Sequence, residues 1–226
     1  MNITFQHDDY LMKTFSSETI SIYYPKNEIE EIRSALLPVG SQVNFNLGKH
    51  INLSNRYNKK VCYILLDGYV SYRHKENGVV ISYAYAGSLI GIGNFLIEQN
   101  AGFFRAETNI ETMCVSEDEF QEIFNKNSLL WKSLTYYMTY ITQRLMIRDV
   151  KVNTKTAYQT VKNLLNELSI QPEDVCHKIN ASYYILERTH LARSTVMSIL
   201  SQLQKGSYIE LKNGHLLRVN KLPEQF

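Results

Sequence analysis

The sequence predicts an α+β protein with three successive parts: an antiparallel β-barrel or jelly roll, one long helix, and short helices closed by a β-hairpin. Three observations predict this order. Short runs rich in Val, Ile, Tyr and Phe alternate with Gly, Asn and Asp turns between about residues 39 and 119. An apolar seam with heptad spacing follows. The C-terminal part then carries amphipathic helical patterns and an Asn-Gly turn between two apolar runs.

Composition places the 226-residue chain among ordinary globular proteins, with 44% hydrophobic and 20% charged residues. Its apolar runs are too short to cross a bilayer and its N-terminus lacks a signal-peptide layout, so we expect a cytoplasmic protein that does not engage a membrane. Cys62, Cys114 and Cys176 lie far apart, and the six histidines form no ligand pattern. We therefore expect no disulfide framework, no metal and no other cofactor.

We predict four regions: an N-terminal extension (1–24), a barrel domain (25–127), a long helix (128–152) and a C-terminal domain (153–226). Helical spacing in NEIEEIRSALL predicts a helix before the strands, and SEDEFQEIFNKN predicts one after them. The pairs Asp67-Gly68, Asn77-Gly78 and Asn213-Gly214 predict type I′ hairpins, because such pairs supply the positive φ that these turns need.

The long helix carries residues, all apolar except Arg148, that are spaced alternately three and four apart, which is the pattern of a self-associating helix. The seam consists of Trp131, Leu134, Met138, Ile141, Leu145, Arg148 and Val152. A second face, with Tyr136, Tyr137 and Tyr140, is suited to packing on the barrel. A helix with two such faces favours a homodimer over a helix that only packs on its own domain.

In the C-terminal domain, TAYQTVKNLLNELS, NASYYILE and RSTVMSILSQLQKG predict three helices. Asn180 is a plausible N-cap of the second, and Gly206 a left-handed residue after the third. A three-residue turn near residues 190–192 joins the last two helices. Two short helices followed by a hairpin make a winged helix-turn-helix, whose second helix enters the DNA major groove.

Polar side chains at the start of that second helix are candidates for reading double-stranded DNA. Arg193 can bind the O6 and N7 atoms of guanine, and Ser or Thr can serve bases or phosphates. From residue 177 onward the net charge is +4, against +2 for the whole chain, which favours a polyanionic partner. The predicted DNA-binding set is Arg193, Ser194, Thr195, Ser198, His190, Lys178, Asn180, Arg188, Lys205 and Lys212.

These motifs resemble the CRP/FNR superfamily. LARSTVMSILSQLQKGSYIEL is similar to its recognition helix and wing, and YILLDGYVSY and GSLIGIGNFL stand where the superfamily has its strand-turn-strand and G-x-x-I-G-E-L elements. The segment from RTHLARS to the C-terminus resembles the IprA (YaiV) type of enterobacterial regulator. The resemblance implies a bacterial transcription regulator with a cyclic-nucleotide-binding-like barrel, a dimerisation helix, a C-terminal DNA reader, and RNA polymerase as a partner.

The glycine-rich loop departs from that superfamily. Ile92 stands where cyclic-nucleotide binders carry Glu, and nothing in EQNAGFFRAET replaces their Arg-Ser pair. The degenerate effector loop comprises Gly91, Ile92, Gly93, Gly102 and Phe103. Burying an anion without a cation is costly, so we expect no binding of cyclic AMP or another cyclic nucleotide.

One of Phe103 and Phe104 is expected to point into the barrel, whose interior is either collapsed, the favoured hypothesis, or open to an apolar effector. Arg105 lines up with a framework arginine of the superfamily, which predicts an internal ion pair.

Two other functions stay open at this point. A protein-interaction module with a degenerate DNA-binding segment would not lose a DNA complex on charge reversal of the second helix. A cupin-like enzyme would need metal ligands, but the chain has no H-x-H or H-E-x-x-H pattern and no G-x-S-x-G motif. We therefore predict no catalytic residues and no enzyme.

Overall fold

The computed structural model describes residues 23–96, 101–170 and 179–224. The N-terminal extension predicted over 1–24 lies outside these ranges except for its last two residues. The described chain divides into two compact units, Tyr23–Gln143 and residues 144–224. Among the helices that are described, none is long and apolar enough to cross a membrane.

The first unit is a jelly roll of two four-stranded antiparallel sheets, as predicted. Its strands are β1 (Ser41–Phe45), β2 (His50–Ile51), β3 (Val61–Asp67), β4 (Tyr69–His74), β5 (Val80–Tyr85), β6 (Leu89–Ile90), β7 (Gly102–Ala106) and β8 (Ile110–Ser116). One sheet has the order β1-β8-β3-β6 and the other β2-β7-β4-β5. Apolar residues of both sheets, among them Leu65 and Val70, form one core cluster.

Helices flank the strands at the predicted places. Helix α1 (Lys26–Leu36) precedes them, and α2 (Glu117–Lys126) follows β8. The α2 helix begins at Ser116 with a complete capping box, in which the Ser116 hydroxyl accepts from the Glu119 amide and the Glu119 carboxylate accepts from the Ser116 amide. Phe120 and Phe124 are its buried residues, so its apolar face belongs to the core of this unit.

The long helix α3 (Leu129–Val152) confirms the helix predicted over 128–152. Tyr137 and Tyr140 are buried, as expected for a face that packs on the barrel. The Tyr137 hydroxyl donates to the Leu89 carbonyl at 2.7 Å and accepts from the Leu89 amide at 3.2 Å, which ties α3 to β6. Tyr136, predicted on the same face, is 43% exposed instead.

The second unit contains the three predicted helices and the closing hairpin. They are α4 (Ala157–Ser169), α5 (Ala181–Leu186), α6 (Arg193–Lys205), β9 (Ile209–Lys212) and β10 (His215–Val219). Asn213 and Gly214 have φ values of 53° and 82°, which confirms the type I′ turn between β9 and β10. Residues from all three helices and the hairpin, including Leu165, Ile185 and Leu203, form one buried cluster.

Four local predictions are wrong. Asp67-Gly68 does not close a hairpin, because β3 and β4 lie in different sheets and the turn is a corner between them. Asn77-Gly78 closes the β4–β5 hairpin, but only the glycine has positive φ, so the turn is not type I′. Ser207, not Gly206, takes the left-handed conformation after α6. The connection between α5 and α6 spans residues 187–192 rather than three residues.

Candidate DNA-binding surface and degenerate barrel site

Helix α5 is capped by Asn180 and joined to the hairpin by the backbone amide of the next residue. The Asn180 side-chain oxygen accepts from the Ser182 amide at 3.0 Å and the Tyr183 amide at 3.3 Å, which satisfies donors at the start of the helix. The Ala181 amide donates to the Gly214 carbonyl at 2.8 Å. Asn180 therefore stabilises the start of the helix through its side-chain oxygen.

The exposed face of α6 carries the polar residues predicted to read bases. Val196, Leu200 and Leu203 are buried, whereas Arg193, Ser194 and Ser198 are exposed and Thr195 is half-buried. The Arg193 guanidinium makes no hydrogen bond or ion pair with any residue in the described ranges. His190, also exposed, lies in the connection just before α6. The start of α6 thus presents a cation and small hydroxyls on one accessible surface.

The end of α6 and the hairpin add further exposed cations. Lys205, Lys212 and Arg218 are exposed, and their charged groups have no partner within the part of the chain that is described. Arg218, on β10, was not among the predicted site residues. Its position in the predicted hairpin, directly after Leu216 and Leu217, could have indicated it. Unpaired cations on one domain are suited to phosphate contacts, because each can replace condensed counterions on DNA.

Arg188 contacts its own domain. Its guanidinium carbon lies 3.4 Å from the centre of the Tyr184 ring, and its Nη1 donates to the Tyr184 carbonyl at 2.9 Å. The Tyr184 hydroxyl in turn donates to Glu167 at 2.8 Å, and Glu167 pairs with Lys151 at 3.0 Å. This network joins the end of α3 to α4 and α5. It leaves Arg188 half-buried and engaged, and Lys178 lies outside the described residues.

The degenerate effector loop is tightly packed where it is described. Gly91 has φ of 82°, and a Cβ there would lie 2.5 Å from Leu53 Cδ2 and 3.2 Å from the Val61 carbonyl, so only glycine fits. Ile92, Asn94 and Phe95, in a 3-10 helix over Ile92–Phe95, are buried. Gly93 is half-buried. Gly102 begins β7 and pairs with His74.

Aromatic side chains contribute to the barrel interior between the two sheets. Phe104 packs against the core cluster and lies 4.8 Å from the Tyr72 ring, while Phe45 lies 5.5 Å from Tyr63. Phe103, its neighbour on β7, points to the opposite face and contacts His50 at 4.4 Å between ring centres. Phe104 is therefore the inward-pointing phenylalanine.

The face of the second sheet that points away from the core carries an ion cluster, which confirms the pair predicted for Arg105. Glu107 accepts from Arg105 Nε at 3.0 Å and Nη2 at 2.9 Å, from Arg73 Nη2 at 3.0 Å, and from the Ser71 hydroxyl at 2.5 Å. Burial alone would raise the pKa of Glu107, but the hydrogen bonds from Arg105, Ser71 and Arg73 lower it below its ordinary value. No group of three metal-ligating side chains occurs in the described ranges.

The predicted dimer seam on α3 is partly used inside the chain. Trp131 contacts Phe124 and Phe120 with ring centres 5.0 and 6.0 Å apart, and Leu134 is buried. Met138, Ile141 and Val152 are half-buried, Leu145 is 39% exposed, and Arg148 Nη2 lies 3.5 Å from the Arg188 carbonyl. Beside this seam α3 carries three further exposed apolar residues, Tyr136, Met146 and Val150, and Leu129 at its first position is exposed as well.

Comparison with known proteins agrees with this arrangement. Residues 157–224 match a family described as winged helix-turn-helix DNA binding. The "Inhibitor of hydrogen peroxide resistance" of Escherichia coli K12 is 26% identical over 208 residues, covering 92% of this chain and 100% of that protein.

Two solved structures extend the likeness to the whole fold. The c-di-GMP responsive global regulator CLP of Xanthomonas campestris superposes with a TM-score of 0.69 at 13% identity, covering 85% of this chain and 100% of the other. A CRP/FNR-family transcriptional regulator of Thermus thermophilus gives 0.57 at 18% identity, with 79% and 94% covered. The chain has the CRP/FNR fold. Along this chain the jelly roll comes first, the long helix second and the winged helix-turn-helix last.

Proposed function

We propose that the chain is a cytoplasmic, homodimeric regulator of transcription that binds specific double-stranded DNA and is not an enzyme. The observation that carries this proposal is the surface of α6 and the hairpin, where Arg193, Lys205, Lys212 and Arg218 are exposed without internal partners in the described chain. Cations left unpaired on a winged helix-turn-helix have the charge and the position that DNA requires.

The proposed roles follow from position along α6 and the hairpin. Arg193, at the first residue of α6, would reach a guanine in the major groove, with Ser194, Thr195 and Ser198 beside it. Lys205, Lys212 and Arg218 would bind phosphates and supply affinity that depends little on sequence. His190, in the connection before α6, would contact the sugar-phosphate backbone of DNA.

A second copy of the chain is proposed to cover the exposed stripe of α3. Tyr136, Thr139, Gln143, Met146 and Val150 alternate three and four apart, and Tyr136, Met146 and Val150 are exposed apolar side chains. This is the spacing of a coiled-coil seam, and it lies beside the predicted seam, in which Trp131 packs on Phe124 and Leu134 is buried. Two copies joined by α3 would present two α6 helices to the two halves of a partly palindromic site.

The barrel is proposed to bind no cyclic nucleotide. Ile92 is buried and apolar where the resemblance places a Glu, Arg105 is committed to Glu107, and Phe104, Tyr72, Tyr63 and Phe45 occupy the interior. A cyclic phosphate beside these rings would lack a cation to offset its charge. Calorimetric titration with cyclic AMP, cyclic GMP and c-di-GMP tests this, and micromolar binding of any of them would contradict it.

The name of the Escherichia coli relative suggests peroxide resistance as the regulated trait. Burial raises the pKa of Cys62 to about 12 and also raises that of Cys114, so both remain thiols at neutral pH and react slowly with peroxide. We propose that the chain influences peroxide survival through the genes it controls rather than through these two thiols. Cys62→Ser and Cys114→Ser should then complement a deletion strain as well as the unaltered protein does.

The deciding experiment is selection of bound sequences from random DNA by the full-length protein, followed by mobility-shift titration of the selected site. We expect one enriched, partly palindromic sequence and a sedimentation coefficient of a dimer on and off DNA. Lys75→Ala, which removes an exposed charge at the β4–β5 turn, is the matched control and should bind normally. Absence of any enriched sequence would favour the interaction-module alternative.

A further inference from the structure

The exposed face of α6 is polar except at one position. Its exposed residues include Arg193, Ser194, Ser198, Ser201 and Gln202, whereas Met197 presents an apolar side chain that is 47% exposed. Met197 is not part of the buried cluster of the domain. A single exposed apolar residue is ordinary on a protein surface. It gains meaning here because it stands in the middle of the surface proposed to face DNA.

Met197 lies one helical turn beyond Arg193. Residues four apart occupy the same side of a helix, about 6 Å apart along its axis. A side chain at this position meets the groove near the base pair that Arg193 is proposed to contact. Neighbouring base pairs are about 3.4 Å apart, so the reach of Met197 falls within roughly two base pairs of that guanine.

Thymine is the base whose edge matches such a side chain. In the major groove it presents a C5-methyl group, whereas the other bases present only donors and acceptors there. Methionine is unbranched and flexible and can follow the surface of a methyl group. The neighbouring serines are shorter and polar, so they do not supply this contact.

We propose that Met197 packs against the C5-methyl group of a thymine within two base pairs of the guanine contacted by Arg193, and so adds sequence preference at that position. This inference rests on the proposed function, because it assumes that α6 enters the major groove. It assigns a base preference to a residue that does not form hydrogen bonds to bases.

The test replaces each thymine of the selected site, one at a time, with deoxyuridine, which lacks only the methyl group. Burying one such group is worth about fourfold in affinity. We expect one position per half-site at which deoxyuridine weakens wild-type binding by about that factor. Met197→Ala should bind the thymine and deoxyuridine sites equally, whereas Ser201→Ala, also exposed on α6, should keep the discrimination.

Two outcomes would overturn the inference without affecting the proposed function: no thymine position at which the methyl group matters, or discrimination that persists in Met197→Ala. Because Met197 is exposed, its removal leaves the buried cluster intact, and a thermal melt of the variant controls for folding. If the wild-type protein selects no DNA sequence at all, the proposed function fails and this inference fails with it.

Discussion

The arginines on the outer face of one sheet and the arginine on α6 differ in whether they have partners inside the protein. On the outer face of the sheet β2-β7-β4-β5, Arg73 and Arg105 both bind Glu107, and Arg73 is almost fully buried. On α6, Arg193 is exposed and has no partner in the described chain. The first arrangement uses its charges to hold the fold, whereas the second leaves a charge available. An arginine is therefore evidence for a binding surface only when the structure shows that its charge is not used inside the fold.

The largest expected effect is the loss of stability when Glu107, the acceptor shared by Arg73 and Arg105, is removed. Glu107→Ala removes the carboxylate to which Arg73 and Arg105 both donate, and breaking a buried pair from one side costs about 3 kcal/mol in the free energy of unfolding. Denaturant unfolding of the full chain measures this cost. Glu111→Ala removes an exposed carboxylate from β8 and is the matched control, with an expected change below about 0.5 kcal/mol. Equal stability of the two variants would contradict the comparison.

The second effect appears on DNA rather than in stability. Arg193→Ala should cost about 2 kcal/mol of binding free energy at the selected site and relax one base position, because a two-pronged contact to guanine is lost. Its free energy of unfolding should match that of the wild type. Arg193→Lys should also lose the base preference, because an ammonium group lacks the planar fork of guanidinium. An unchanged footprint for both variants would mean that α6 does not read that base.

The acid dependence of stability is a smaller effect, because protonation removes the charge of Glu107 but keeps its side chain. Hydrogen bonds hold the pKa of Glu107 in the folded state below its ordinary value despite burial. Its contribution to stability is therefore complete above the ordinary carboxyl pKa of about 4.3 and is lost as the pH falls through the lower folded-state value.

Unfolding of the wild type and of Glu107→Gln should be measured from about pH 6 downward through that window. The wild type should lose stability more steeply. Arg193→Ala should follow the wild type, because Arg193 is not tied to a carboxylate in the described chain. Parallel curves for wild type and Glu107→Gln would show that Glu107 adds no acid dependence.

Local chemistry predicted some elements well. The closing hairpin follows from Asn213-Gly214 between two apolar runs, since that pair favours the two positive φ values of its turn, and α5 follows from the cap at Asn180. The hairpin predicted at Asp67-Gly68 is wrong because an Asp-Gly pair can also form a corner between two sheets. Whether two strands pair is decided by distant partners, here β8 for β3 and β7 for β4. Local turn residues do not contain that information.

The DNA-facing residues were predictable to the extent that one helix face defines them. The helical spacing of α6 by itself separates Val196 and Leu203 from Arg193 and Ser198. Arg188 and Leu134 could not be assigned in this way, because only tertiary packing decides whether each is used inside the chain or left on its surface. Met197 was overlooked because a methionine at helical spacing is usually a core residue.

The smallest expected effect concerns the cations at the end of α6 and on the hairpin. Lys205→Ala should weaken binding of all DNA sequences alike and reduce the slope of log affinity against log salt by about 1, because one fewer counterion is released. The selected base preferences should not change. Lys75→Ala, in the other unit, should leave both affinity and slope as they are. The measurement is a mobility-shift titration at several salt concentrations on the selected site and on an unrelated duplex. If Lys205→Ala instead altered preference at one base pair, Lys205 would belong with Arg193 among the base-reading residues, and the division of this surface into base and phosphate contacts would have to be redrawn.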